Sequence, residues 1–212
     1  MEYMMTKIAI LSHWHTASSL IARQLQLCGM EVGNKNTFWN EDCEAQCEHG
    51  ILNRIGDQLW RGDIFYDEGF SRITEILDSY IKEALVKHWN CFGVKVTHAL
   101  QEPCFIPFLN AFDLLWGRDI VYIITTRSIE AIIDSTNDEE WGPNKVRASI
   151  DSTYYNIGLL SYMRNVFILK YPWSWIDGRI EFLMNYLGLM WNTKAKDLFD
   201  SNRAKSVDNT WM

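Results

Sequence analysis

Residues 7–29, KIAILSHWHTASSLIARQLQLCG, decide how this chain is read. They open on Ile8-Ala9-Ile10-Leu11, a continuous apolar run of the length of a strand buried on both faces. His13-Trp14-His15-Thr16-Ala17-Ser18-Ser19 follows, rich in small and hydroxylic residues. Leu20, Ile21, Gln24, Leu25 and Cys28 then recur near helical spacing, and Gly29 stands where a helix stops. A strand, a hydroxyl-rich turn and a helix in succession aim free backbone N–H groups at an anion.

The turn is not the phosphate loop of a nucleotide kinase as usually written, since no G-x-x-x-x-G-K-[ST] can be read in it. Beyond it, Glu31 to Asn40 reads as a loop and Glu41 to Ile55 as a helix with acids in its first turn. Asp57 to Phe70, crowded with aromatics and acids, is expected to be irregular, either a lid or an ordinary packed loop. Ile73 to His88 carries a helical apolar stripe, and Phe92 to Thr97 is a short strand ending in His98. Pro103 to Phe112 reads as helix, Ile120 to Thr125 (IVYIIT) as strand, and Ser128 to Ser135 and Lys145 to Arg164 as helices. Val166 to Tyr171 is a further strand and Ile176 to Leu187 a last helix, closed by Gly188. Strands alternating with helices predict an α/β fold in three layers, with a central, mainly parallel sheet. No linker or repeat interrupts the chain, so residues 1–212 are expected to form one domain, with a core over 7–189 and a flexible tail over 201–212.

Composition narrows the partners. A net charge of −7 argues against nucleic acid and leaves any polyanion to a local basic pocket. No apolar run reaches the ~18 residues of a membrane span. Five cysteines without C-x-x-C, and no signal-peptide pattern, point to a reducing, cytoplasmic setting. Cys43, Cys47 and His49 have a spacing that zinc uses, but no second ligand pair accompanies them, so no metal is expected.

Parallel α/β sheets bind ligands beyond the carboxyl ends of their strands. There the chain carries His13 to Ser19, then Thr97 and His98, then Thr126 and Arg127, then Tyr171 and Trp173. With those residues in place, the chain resembles the sulfotransferases that use 3′-phosphoadenosine 5′-phosphosulfate (PAPS). His15-Thr16-Ala17-Ser18-Ser19-Leu20 is similar to the family's R/K-S-G-T-[ST]-x-L loop, with His15 for the basic residue and Ala17 for glycine. Arg127 with Ser135 eight positions later resembles its 3′-phosphate pair. Asn36-x-x-Trp39-Asn40-Glu41, Phe92-Gly93-Val94-Lys95 and Tyr186-Leu187-Gly188-Leu189 echo further segments. The turn after the last strand, Tyr171-Pro172-Trp173, lacks the family's acidic pair, and its C-terminal R-K-G-type motif is missing.

The resemblance implies a P-loop-like sulfotransferase fold and in-line transfer of a sulfuryl group from PAPS to a hydroxyl or amine of a small-molecule, lipid or carbohydrate acceptor. It places the donor on Thr16, Ala17, Ser18 and Ser19, with a cationic His15 at the leaving oxygen. The 3′-phosphate falls to Arg127 and Ser135 and the adenine to Tyr171, while the base is His98 or Glu41 and Lys95 gives electrostatic support. Two alternatives remain beside it: a degenerate binding module without turnover, and a P-loop-like small-molecule kinase.

Overall fold

The computed structural model describes residues 5–32, 49–135 and 142–199. Glu41, the Cys43–Cys47 pair, the Asn36–Glu41 segment and the expected C-terminal tail lie outside them. Four parallel strands form the sheet: β1 (Thr6–Ser12), β2 (Cys91–Val96), β3 (Val121–Thr126) and β4 (Val166–Lys170), in the order β2-β1-β3-β4. Their apolar runs make them strands, and the expected parallel α/β class is what folds. In register, Ile10 faces Lys95 on one side of β1, and Ser12 faces Thr125 on the other.

Helices cover both faces. Between β1 and β2 run α1 (Ser18–Leu27), α2 (Gly50–Arg61) and α3 (Tyr66–Val86). Next come α4 (Phe105–Leu115) before β3, and α5 (Ile129–Ser135) and α6 (Gly142–Met163) before β4. After β4 follow α7 (Trp173–Ile176), α8 (Arg179–Tyr186) and α9 (Thr193–Lys196). On one face Ile8, Ile10, Val121 and Ile123 pack with Ile21 and Leu25 of α1 and Leu183 and Met184 of α8. On the other, Ala9, Leu11, Val94, Val96, Tyr122 and Ile124 pack with residues of α2, α3, α4 and α6.

The stretch from Asp57 to Phe70 departs from its expected irregularity. Leu52, Ile55 and Leu59 form one buried helical stripe that carries α2 through Arg61. Gly62, at φ 77°, takes the left-handed turn that ends it, and α3 starts again at Tyr66. Aromatic and acidic content suggested a loop, but the buried stripe continues the helix, so this stretch is mainly helical. The last expected helix, Ile176 to Leu187, is α8, which starts at Arg179 after Gly178 at φ 84°, while Ile176 closes the short α7.

Candidate functional site

The carboxyl end of β1 runs into the turn of residues 13–17. Two non-glycine residues there are left-handed, His15 at φ 58° and Ala17 at φ 68°. For an L-residue that conformation costs about 1–2 kcal/mol, so something holds the turn in shape. Thr16 is one part of the answer. Its buried Oγ1 donates to the His13 carbonyl at 2.8 Å and lies 2.9 Å from Thr125 Oγ1 on β3. Arg127 is another, since its Nη1 donates to the His15 carbonyl at 3.3 Å. Ala17 is the N-cap of α1 and supplies no side-chain cap, so the first-turn amides of this ten-residue helix open at the turn.

The other strand ends converge here. Lys95 of β2 is 2% exposed, and its Nζ donates to Ser19 Oγ at 2.8 Å. The guanidinium of Arg127 lies 5.7 Å from the ring centroid of Tyr171, whose backbone N–H is held by the Thr126 carbonyl. The Arg127 carbonyl accepts from Tyr154 of α6. His15, Thr16, Ala17, Ser18, Ser19, Arg127 and Tyr171 therefore share one end of the sheet. Ser135 is turned another way: its hydroxyl donates to the Ala131 and Ile132 carbonyls of its own helix at 2.8 and 3.0 Å.

His98 is 8% exposed, edge-on to Trp14 with ring centroids 5.2 Å apart. It is wedged against α2 at Gly56, where an added Cβ would come within 2.7 Å of His98 Cβ, so glycine permits the approach. His13 is more deeply buried, its Nε2 3.1 Å from Ser149 Oγ of α6. Burial, and then the nearby His98 and His15, lower its pKa to about 4. His15 itself is lowered by partial burial and by the Arg127 charge. Lys95 and Arg127 bring permanent positive charge to the same end of the sheet.

Sequence reasoning missed the residues that brace Lys95. Its carbonyl accepts from the His49 N–H at 3.1 Å and from Asn53 Nδ2 at 3.5 Å. Asn53 Oδ1 in turn accepts from Thr97 N and Oγ1 at 2.8 and 3.0 Å. Nothing in the sequence marks Asn53, because its partners lie more than forty positions away. Among the described residues no three His, Cys, Asp or Glu side chains gather into a metal-holding group.

No family model and no curated protein matches this chain. Among solved structures it is similar to the unliganded crystal structure of a sugar kinase from Janibacter sp. HTCC2649. The superposition has a TM-score of 0.55 at 12% identity and covers 92% of this chain and 99% of that one. At that identity the likeness shows the fold alone, an α/β architecture with helices on both faces of a parallel sheet. It overturns the expected sulfuryl transfer from PAPS, because the resembled protein is a kinase and nothing found supports a PAPS-dependent enzyme. No described helix is long and apolar enough to cross a membrane.

Proposed function

We propose that the carboxyl end of this sheet binds a nucleotide by its phosphates and transfers a phosphoryl group to a small hydroxylated acceptor. The carrying observation is the 13–17 turn, which leads from the central strand β1 into the uncapped first turn of α1. Such a helix start presents N–H donors and a partial positive charge to a phosphate at the same point. The likeness to a sugar kinase supports a nucleotide as donor and a carbohydrate-like small molecule as acceptor.

In this reading the amides of Ser18, Ser19 and Leu20 hold phosphate oxygens. Thr16 and the Arg127 bond to the His15 carbonyl keep the turn formed before the ligand arrives. Placement of this kind matters because phosphoryl transfer is governed by positioning and charge stabilisation. His98, edge-on to Trp14, would orient the attacking hydroxyl in this reading.

Phosphoryl transfer generally employs a divalent cation bridging the phosphates. The described donors at this turn are hydroxyls without a carboxylate, and the Ser19 hydroxyl already accepts from an ammonium. They do not fit a protein-held metal, and no step is assigned to one.

Thermal-shift titration with ATP, with and without magnesium, tests the reading against AMP and adenosine 3′,5′-bisphosphate. Binding only to the native state raises the melting temperature, by about 2.7 kcal/mol of stabilisation at a hundredfold excess over Kd. ATP is expected to stabilise most, and to be consumed when a panel of monosaccharides is added. Absence of stabilisation by any nucleoside triphosphate overturns the reading.

A further inference from the structure

We infer that Lys95 is the phosphate-contacting cation of this site, supplied by the neighbouring strand where the turn itself has none. The inference rests on the nucleotide reading above and identifies the residue that neutralises the bound phosphate. Between Ser12 and Ser19 the chain holds no lysine or arginine, and Ser18 opens the helix. The charge has to come from elsewhere in the fold.

The pleat of the sheet shows where it comes from. On the α1 face, β1 contributes Ile8 and Ile10 and β3 contributes Val121 and Ile123, all of them in the apolar cluster beneath α1. Alternation puts Gly93 of β2 on that face too, where an added Cβ would come within 2.9 Å of Met30 Sδ in the same cluster. One step nearer the carboxyl end, this face turns polar on all three strands: Lys95 on β2, Ser12 on β1 and Thr125 on β3. All are buried, at 2%, 0% and 1% exposure. Thr125 is engaged with Thr16, and the Lys95 ammonium reaches Ser19. The hydroxyl of Ser12 has no hydrogen-bond partner among the described residues, although it is fully buried on the side facing the start of α1.

A buried hydroxyl left without a partner is destabilising, and a ligand oxygen in the turn would satisfy it. The Lys95 ammonium, on the same face of the adjacent strand, is aligned by its own backbone, since His49 and Asn53 both bind the Lys95 carbonyl. An anion seated on the first-turn amides is thus a neighbour of Lys95 Nζ, in a place where solvent screens little. Lysine serves here as a compact point charge, and contact with Ser19 keeps it at the mouth of the helix.

The test is calorimetric binding of ATP and of inorganic triphosphate to wild type, Lys95→Met, Lys95→Gln and the double variant Lys95→Met with Ser18→Lys. Charge-assisted hydrogen bonds contribute about 1.5–3 kcal/mol, so each single neutral variant is expected to bind both probes roughly tenfold to a hundredfold more weakly. Returning a lysine to the turn through Ser18→Lys should recover much of that loss. Lys95→Gln retains a polar group and stands in if Lys95→Met does not fold. Unchanged triphosphate affinity in a folded neutral variant overturns the role of Lys95 and leaves the nucleotide reading intact. Failure of wild type to bind either probe overturns both.

Discussion

The two ends of the sheet are built on opposite principles. At the amino end the buried side chains are aromatic: Tyr80, Phe92, Phe112, Trp116 and Tyr122 stand with neighbouring ring centroids 5.2–6.1 Å apart. Lys7, a cation at that end, also serves structure, donating to the Trp116 carbonyl at 2.6 Å and pairing with Asp119. At the carboxyl end the buried side chains are Ser12, His13, Thr16, Lys95, Thr97, His98 and Thr125. Close packing of rings stabilises one end, whereas the other holds polar groups and two left-handed residues at a cost.

The comparison can be broken most forcefully at the aromatic end. Phe112 is fully buried between Phe108, Trp116 and Tyr122. Phe112→Ala should lower stability by about 3–5 kcal/mol, because the lost ring leaves a cavity that its neighbours only partly fill. Guanidinium unfolding measures it. A loss under about 1 kcal/mol would mean that the amino end does not carry the fold.

Acid should act on the polar side of the molecule. His13 and His49 are both held near pKa 4 instead of 6.5, burial being the main cause. The unfolded chain therefore takes up protons that the folded chain refuses, so stability falls as pH drops from 6.5 towards 4. The loss at pH 5 should be roughly 2 kcal/mol for each imidazole relative to pH 7. His49→Asn keeps an acceptor at the start of α2, where His49 Nδ1 now receives the Leu52 N–H, and should flatten the pH dependence. An unfolding free energy that is equal at pH 7 and pH 5 would contradict this account.

The smallest effect sharpens the comparison by having the opposite sign. Ala17 at φ 68° pays for a conformation that glycine adopts freely, so Ala17→Gly should raise stability by about 1 kcal/mol. The melting temperature reads it directly. Destabilisation would show that the alanine methyl group contributes packing beyond its strain.

Much of the framework was legible because burial writes itself into composition. Ile8-Ala9-Ile10-Leu11 and the IVYIIT run are continuous apolar segments between polar turns, and both became interior strands. The turn at His13 to Ser19 was legible as the link between β1 and α1 for a similar reason, since small hydroxylic residues interrupt the apolar run there. Motif spacing does not by itself report contact. Arg127 and Ser135 have the separation of a phosphate clamp, yet the serine hydroxyl is bonded back into α5. The acids and aromatics near Asp57 suggested a loop, whereas the stripe of Leu52, Ile55 and Leu59 carries the helix through Arg61.

By itself, then, the sequence determined the alternation of strands and helices, the parallel class of the sheet and the place of the first turn. These follow from local periodicity, from glycine at helix ends and from the length of apolar runs. Tertiary structure alone decided that β1 lies between β2 and β3, and with it which side chains meet at the turn. The pairing of Lys95 with Ser19, 76 positions apart, depends on strand order and register. Those are properties of how whole elements pack, and no local stretch of chain encodes them.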